Sequence, residues 1–303
     1  MIKFGINASG TFGDVLYMTP VIAYLSKCHN QKIHVETTFP EIFKNNPFVE
    51  KIYDVKNNQS FSEDIVTYNV GEIYHGDLFR QKKMHSIDFW STNLGFILTP
   101  EEKTLLFYPD ELDIELPKEK YVVINPSITA PSRTWDEGKW EKLITMIMDT
   151  NIKVVVVGKE INYDHDFNRG VMDIGGDKIL NLTNNLNISQ LWHIVQNSLA
   201  TLTMNAGLWT LAGTTDANII AMGGSYNPYY RAPYRYGSQN YKQYFVGGSC
   251  KLFCHTDMKY NSLGDVKVTG GYPIESCFEN KPTYECHPSP DAVFNTLLEI
   301  IKY

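Results

Sequence analysis

A single acidic residue near the amino end of the chain, Asp14, lies where a catalytic carboxylate would be expected. It belongs to SGTFGDVLYMTPVIAYL (residues 9–25), which follows IKFGINA (residues 2–8), an apolar run with the length of a buried strand. Apolar residues at helical spacing come next, so the pattern predicts a strand, a glycine turn and a helix. Ligands bind beyond the carboxyl ends of strands in open α/β sheets. There a helix N-terminus favours ionised Asp14, which could accept a proton; a plain helix cap is the alternative role.

A second segment has the residue types that bind anions. SITAPSRTW (residues 127–135) is a polar loop between a predicted strand and a predicted helix, where unpaired N–H groups and the helix dipole favour negative charge. The guanidinium fork of Arg133 can hold two phosphate oxygens, whereas a solvent-facing arginine is the structural alternative. The loop also supplies hydroxyl donors, which are Ser127, Thr129, Ser132 and Thr134.

Two further turns follow predicted strands in the second half of the chain. Gly158 and Glu160 come after the run VVVV, a position that suits a carboxylate accepting hydrogen bonds from ribose hydroxyls. An ordinary loop glutamate fits that position as well. The segment NAGLWTLAG (residues 205–213) predicts a helix whose first amides would face a diphosphate or a sugar. The residues that open this helix are Ala206, Gly207 and Leu208.

A tyrosine-rich stretch and a group of cysteines complete the candidate chemistry. Tyrosine rings in GGSYNPYYRAPYRYGSQNYKQYF (residues 223–245) could stack on sugars or bases, although an irregular surface loop is the alternative. The cysteines near the carboxyl end favour a metal site or redox chemistry over disulfides in a reducing compartment. Their thiolates could hold a structural zinc or iron ion tetrahedrally, or they could be free buried thiols. These residues are Cys250, Cys254, Cys277 and Cys286.

Short apolar runs alternate with helical patterns along the whole chain, which predicts parallel sheets covered by helices on both faces. The predicted strands are KIHVET (32–37), KIYDV (51–55), DIVTYNV (64–70), TLLFYP (104–109), YVVINPS (121–127), KVVVVG (153–158), LATLTM (199–204) and NIIAMGG (218–224). Pro20 predicts either a kinked first helix or a helix that starts after Thr19. The charged segment DELDIELPKEK (residues 110–120) predicts a boundary between an amino-terminal domain, 1–117, and a carboxyl-terminal domain, 118–303. We therefore expect an α/β chain of two doubly wound domains with a cleft between them.

Composition excludes several classes of function. The chain has 303 residues and a net charge of −7 with no run rich in lysine or arginine, which argues against a nucleic-acid partner. No apolar stretch approaches the roughly 20 residues that a transmembrane helix needs, and no secretion signal is evident at the amino end. We expect a cytoplasmic protein without a transmembrane segment.

Several segments, taken in order, resemble the heptosyltransferase family of glycosyltransferases (glycosyltransferase family 9). They are GDVLYMTPVIAYL (13–25), NPFVEKIYDV (46–55), HSIDFWSTNLG (85–95), RTWDEGKWEKLI (133–144), VVVVGKE (154–160) and NAGLWTLAG (205–213). The resemblance implies a GT-B fold of two Rossmann-like domains, with acceptor groups on the first and donor groups on the second. It further implies inverting, metal-independent transfer of a heptose or related sugar from a nucleotide-diphosphate donor resembling ADP-heptose to a hydroxyl of a glycan or protein.

The resemblance also assigns roles to individual residues. Asp14 matches the Gly-Asp position of the family and would be the catalytic base, while Arg133 matches its phosphate-contacting lysine or arginine. The acidic residue of the nucleoside site corresponds to Glu160, and Gly158 precedes it. Residues expected near the donor sugar or acceptor are Thr11, Gly13, Asn205, Thr210 and Arg231.

The carboxyl-terminal tail and the NAGLWTLAG segment narrow the resemblance. Cys-x₃-Cys followed by ESCF and YECHPSPDAV is similar to the tails of protein heptosyltransferases that act on autotransporters, in which such cysteines hold iron. Asn205 and Thr210 stand where the lipopolysaccharide enzymes have Asp and His, so the identity of the donor sugar is open.

Two other classes of function fit parts of the sequence. A strand, glycine turn and helix also begins a dinucleotide-dependent oxidoreductase, but SGTFGD lacks the Gly-x-Gly-x-x-Gly spacing and Glu36 is a weak candidate for the ribose carboxylate. A non-catalytic protein of the same fold that binds nucleotide sugars or glycans is the other alternative, because Asn205 and Thr210 depart from the enzymes.

Overall fold

The computed structural model divides the chain into two compact units. Unit 1 comprises Met1–Glu111 and Tyr229–Gln239, and unit 2 comprises Leu112–Pro228 and Asn240–Tyr303. Unit 1 therefore takes a short segment from the second half of the chain, which the predicted domains 1–117 and 118–303 did not include. The structure describes residues 2–8, 10–69, 84–128, 133–160, 170–176, 178–224, 227–235, 242–250 and 285–302.

Unit 1 is built on a sheet of four parallel strands in the order β3-β2-β1-β4. The strands are β1 (Lys3–Ala8), β2 (Ile33–Thr37), β3 (Val49–Asp54) and β4 (Ile65–Asn69). Ile6, Ala8, Ile33 and Val35 on the two central strands are fully buried. Alternating burial along β2 matches the period of two expected for a strand.

Within the described part of unit 1, three α-helices accompany the strands. They are α1 (Phe12–Tyr17), α2 (Thr19–His29) and α3 (Ser86–Asn93). Pro20 lies in the first turn of α2, where its missing N–H costs nothing, so the helix starts at Thr19 instead of running through from α1 with a kink. The Thr19 hydroxyl donates to the carbonyl of Leu16 (2.8 Å) and accepts from the N–H of Leu106 (3.0 Å).

Unit 2 has a sheet of six parallel strands in the order β12-β11-β10-β5-β7-β9. These strands are β5 (Tyr121–Asn125), β7 (Lys153–Val156), β9 (Ile179–Asn181), β10 (Ala200–Thr203), β11 (Asn218–Met222) and β12 (Gln243–Val246). A separate antiparallel pair joins β6 (Ser127–Ile128) to β8 (Gly170–Val171). Every residue of β5 and β10 is buried, as expected for central strands of a sheet covered on both faces.

The α-helices in the described residues of unit 2 are α4 (Glu137–Met148), α5 (Ile188–Gln196), α6 (Gly207–Ala212) and α7 (Pro290–Ile301). Ser289 caps the last helix, because its hydroxyl accepts from the N–H of Ala292, and Pro290 opens the helix. Trp135 and Trp140 are fully buried and meet edge to face, with ring centroids 4.9 Å apart. The Trp135 indole N–H donates to the carbonyl of Pro288 (3.1 Å), which ties the end of the tail to this core.

The α/β prediction with two parallel sheets is confirmed, and one predicted strand is wrong. Residues 104–109 form no strand: the Leu105 N–H donates to the carbonyl of Tyr234 (3.3 Å) and the Leu106 N–H to a threonine side chain. The sequence also did not predict β12, which lies within the tyrosine-rich stretch and pairs in parallel with β11.

Candidate functional site

Asp14 lies in the first turn of α1, after the carboxyl end of β1, and its carboxylate is held on both oxygens. Its Oδ2 atom accepts from the backbone N–H of Thr11 (3.0 Å) and from the Thr11 hydroxyl (2.6 Å). Asp14 therefore does act as a helix cap, because its side chain accepts from the N–H of Thr11, the residue that precedes the first turn of α1. Hydrogen bonds to a carboxylate favour its ionised form. Asp14 is also buried, with a side chain that is only 3% exposed.

Glycines bring the backbone close to this carboxylate. Gly10 has φ +128°, a conformation that residues with side chains rarely adopt, and a Cβ atom there would lie 2.9 Å from the Cβ of Asp14. Gly13 is buried in α1 next to Asp14. Glycine is therefore required at position 10 of the predicted turn, because a side chain there would collide with that of Asp14.

Arg231 forms an ion pair with Asp14 within unit 1. Its Nη1 atom lies 2.5 Å from Oδ1 of Asp14, and the arginine side chain is 15% exposed. The guanidinium carbon also lies 5.6 Å from the centroid of the Tyr17 ring, within reach of a cation–π contact. The sequence analysis expects Arg231 near the donor sugar or acceptor, and in the structure Arg231 pairs with Asp14. No local pattern could reveal this pair, since its members are 217 residues apart.

His85 stands beside this pair as a neutral side chain. It is 1% exposed, and burial lowers its pKa to about 4, against smaller raising effects from the Ala232 carbonyl and Asp88. Its Nδ1 atom accepts from the N–H of Ile87 (3.2 Å), so the proton is on Nε2, which donates to the carbonyl of Ala232 (2.9 Å). His85 thus caps α3 and contacts the segment that carries Arg231.

The predicted diphosphate loop lies in unit 2 between β5 and α4. Ser127 begins β6, and its buried hydroxyl oxygen has no hydrogen-bond partner among the described residues. Arg133 and Thr134 lie just before the buried Trp135, and Arg133 is half-buried. Asp136, the cap of α4, separates Arg133 from the helix start, so the arginine lies outside the first helical turn. Thr129 and Ser132 lie outside the described residues.

The predicted nucleoside residues follow β7. Gly158 has φ +155°, and a Cβ atom there would lie 2.6 Å from Val171 and 3.0 Å from the amide of Asn125, so only glycine fits. Glu160 is exposed, and its N–H donates to Oδ1 of Asn184 (2.8 Å). The backbone of this turn is fixed while the Glu160 carboxylate faces solvent, as a ribose-binding carboxylate would require.

The NAGLWTLAG segment forms the expected helix start. Ala206 is the N-cap residue of α6 and no side chain caps the helix. Asn205 and Gly207 are partly exposed, whereas Leu208 and Thr210 are buried, at 7% and 4% exposure. The backbone of Ala206 and Gly207 is thus a better ligand candidate than the side chains of Leu208 and Thr210.

Comparisons with known proteins identify the chain. The sequence model of glycosyltransferase family 9 (heptosyltransferase) matches residues 96–247, half of the chain. The chain belongs to glycosyltransferase family 9. The matched residues include Arg133, Glu160, the α6 segment and Arg231, but neither Asp14 nor the tail cysteines. The prediction of a nucleotide-sugar glycosyltransferase is confirmed, and the oxidoreductase alternative is wrong.

Solved structures of this glycosyltransferase family share the fold. The dodecameric iron-containing heptosyltransferase TibC in complex with ADP-D-beta-D-heptose is 15% identical, with a TM-score of 0.69, covering 99% of this chain and 78% of TibC. TibC comes from enterotoxigenic E. coli H10407. A family 9 glycosyltransferase from Veillonella parvula is 13% identical, with a TM-score of 0.64, covering 99% and 97%. E. coli ADP-heptose lipopolysaccharide heptosyltransferase II is 12% identical, with a TM-score of 0.56, covering 99% and 98%. No curated protein sequence matched the chain. These structures confirm the predicted GT-B fold.

Two of the four tail cysteines of this glycosyltransferase lie in the described part of the chain, on neighbouring segments. The N–H of Cys250 donates to the carbonyl of Glu285 (3.2 Å), and the N–H of Gly248 donates to the carbonyl of Cys286 (2.9 Å). Both thiols are half-buried. Cys254 and Cys277 lie outside the described residues, within which no group of three or more metal-ligating side chains occurs. In the same described ranges, no helix is long and apolar enough to cross a membrane.

Proposed function

We propose that this glycosyltransferase moves a heptose or related sugar from a nucleotide-diphosphate donor resembling ADP-heptose to a hydroxyl of a glycan or protein, with inversion. Family membership and the donor named for the TibC complex support this donor class. The observation that supports the assignment of the base is the position of the Asp14 carboxylate after the carboxyl end of β1, where Thr11 and Arg231 hold both of its oxygens.

Inversion follows from a single displacement at the anomeric carbon. The acceptor oxygen attacks that carbon while its proton passes to Asp14, and the bond from the anomeric carbon to the diphosphate oxygen breaks. The nucleoside diphosphate leaves with the bonding electrons. Arg133 and the backbone amides of Ala206, Gly207 and Leu208 would stabilise the charge that develops on the diphosphate. Glu160 would accept hydrogen bonds from the ribose.

Asp14 must become accessible for this reaction. A base has to come within about 2.6–3.2 Å of the hydroxyl that it deprotonates. The Asp14 side chain is 3% exposed, so acceptor binding has to be accompanied by a local shift of the side chains around it. Catalytic hydrogen bonds commonly form only in the complex with substrate, and the buried carboxylate is consistent with such a site.

Transfer by a carboxylate base and a cationic diphosphate site needs no cofactor. A zinc or iron ion on Cys250, Cys254, Cys277 and Cys286 would be structural, and the pairing of residues 248–250 with 285–286 supports the approach of two of these thiols. Elemental analysis of protein purified without added metal tests this site. Fewer than about half an equivalent of zinc or iron per chain would count against it. The cytoplasmic location predicted from the sequence stays a prediction.

The decisive experiment follows release of ADP from ADP-heptose, with water or an added glycan as acceptor. Asp14→Asn should lower turnover by about 10²–10⁴-fold, the usual contribution of a general base, while ADP affinity measured by calorimetry stays unchanged. Asp64→Asn is the matched control, because Asp64 is an exposed carboxylate of the same unit and should leave turnover intact. Near-normal turnover of Asp14→Asn would exclude Asp14 as the base.

The same assay tests the second candidate, a binding protein that has lost catalysis. The burial of Asp14 and of Thr210 favours it, because neither side chain is exposed to a ligand in this structure. A wild-type protein that binds ADP-heptose and raises its melting temperature, yet releases no ADP with any acceptor, would establish this alternative.

A further inference from the structure

Residues 229–235, which we call the 229–235 segment, are anchored to the rest of unit 1 through consecutive backbone carbonyls. The Ser86 hydroxyl donates to the carbonyl of Tyr230 (3.3 Å), the Tyr17 hydroxyl to that of Arg231, and Nε2 of His85 to that of Ala232 (2.9 Å). Side chains of α1 and of the start of α3 therefore hold the backbone on both sides of Arg231.

Further contacts fix the carboxyl-terminal part of the segment. The carbonyl of Tyr234 accepts from the N–H of Leu105 (3.3 Å), and the Tyr234 ring meets the His85 ring edge to face at 4.7 Å. Pro233 is buried. Surface loops seldom make this many specific polar contacts, so the segment is a built part of unit 1.

We propose that Arg231 is a positioning residue for Asp14, and that the 229–235 segment serves to place it there. The proposal rests on the proposed function, in which Asp14 is the base. It replaces the expectation that Arg231 contacts the donor sugar or the acceptor directly.

Arg231 and Thr11 hold different oxygens of the Asp14 carboxylate. Thr11 holds Oδ2 of Asp14, and Arg231 holds Oδ1, so together they fix the plane of the carboxylate. The bonds from Thr11 reach Oδ2 only, so the bond from Arg231 adds a constraint on the other carboxylate oxygen. A positive partner also compensates the charge of a carboxylate that is almost completely buried, which would otherwise favour its protonated, non-basic form.

The test is a double-mutant cycle on the release of ADP from ADP-heptose. Arg231→Gln should lower kcat by about 10²-fold, the cost of misplacing a catalytic group by about 1 Å, with the KM for ADP-heptose unchanged. In the Asp14→Asn background, Arg231→Gln should cause no further loss beyond about threefold, because the residue acts only through Asp14. Asn and Gln are both neutral, so the double variant leaves no unpaired charge at the site.

Two further variants separate positioning from folding. Arg231→Lys should recover part of the lost kcat, because it restores the positive charge without the planar fork. Guanidinium chloride at low millimolar concentration should partly restore the turnover of Arg231→Ala. A variant that is merely misfolded would not regain turnover in this way. Lys3→Met is the matched control, since Lys3 forms an ion pair with Asp64 in the same unit (2.6 Å), on the exposed surface of the sheet.

The outcomes of these experiments distinguish the positioning role of Arg231 from the role of Asp14 as the base. Losses that multiply in the double variant, or a raised KM with unchanged kcat, would show that Arg231 contacts substrate and would overturn the proposal. Wild-type kcat in Arg231→Gln would overturn it as well. Near-normal turnover of Asp14→Asn would instead refute Asp14 as the base, and with it the reaction on which the positioning role depends.

Discussion

Lowering the pH from 7.5 to 4.5 should destabilise the protein through His85. Burial holds the pKa of this side chain at about 4 in the folded protein, against 6.5 for an unperturbed histidine, with Asp88 raising it slightly and Arg231 and Lys103 lowering it. The unfolded chain therefore takes up a proton as the pH falls below about 6.5, whereas the folded protein does so only near pH 4. Stability is thus lost across that window and shows no further loss from His85 below it.

The magnitude follows from the size of the shift. Each unit of pKa difference corresponds to about 1.4 kcal/mol, so the drop from 6.5 to about 4 is worth roughly 3 kcal/mol of unfolding free energy. That is a large part of the 5–15 kcal/mol typical of folded domains. Below about pH 4 folded His85 takes up the proton as well, and this weakens the anchor of the 229–235 segment because a protonated Nδ1 can no longer accept from the N–H of Ile87.

Urea denaturation of the wild type and of His85→Asn at pH 7.5 and at pH 4.5 measures this effect. Asparagine is a good helix cap that does not titrate, so it keeps the bond to Ile87 and removes the protonation. Acid titration of all other groups is common to both proteins and cancels in their difference. The wild type should lose about 2.5 kcal/mol more than His85→Asn between the two pH values, because pH 4.5 stops short of the folded pKa. An equal loss in both proteins would refute the assignment of a neutral, buried His85.

Two further predictions concern single side chains. Gly10→Ala should lower both turnover and stability, because its Cβ would lie 2.9 Å from that of Asp14. Gly95 also has a positive φ, but a Cβ there would meet nothing within 4 Å, so Gly95→Ala should lower only stability. Equal turnover of the two variants would contradict the steric role of Gly10. Trp135→Phe should reduce the unfolding free energy by about 1–3 kcal/mol in addition to the loss caused by the smaller ring, because the buried carbonyl of Pro288 loses its donor. Trp140→Phe is the comparison in thermal denaturation, since the Trp140 N–H has no partner among the described residues.

Most of the fold follows from local patterns in the sequence. The runs YVVIN and ATLT are fully buried strands, and Ser289 with Pro290 marks the start of α7. Residues 104–109 have the same apolar character, but their N–H groups bond to Thr19 and Tyr234 instead of a neighbouring strand. Apolar content predicts burial there, whereas strand formation depends on which partner is available. The edge strand β12 is short and only partly buried, so it lacks the strong pattern of a central strand.

The candidate site is predictable only in part, for a related reason. Asp14, Gly158 and the start of α6 follow strands, where the rule for ligand sites in α/β sheets applies directly. The Arg231 contact depends on tertiary structure, since it joins α1 to a segment 217 residues away. His85 is prominent in the sequence as a histidine before a helix, but its bond to Ala232 has no local signature.

The placement of the 229–235 segment has a consequence for how the protein is made. The ribosome releases Asp14 and the first sheet long before it synthesises Arg231, since 217 residues separate the two. Until then the nascent amino-terminal half contains a carboxylate without its cation, and Ser86, Tyr17 and His85 face no carbonyls from that segment. Asp14, the proposed base, therefore gains its arginine partner late in translation, so that chains truncated before residue 231 carry the carboxylate without the ion pair.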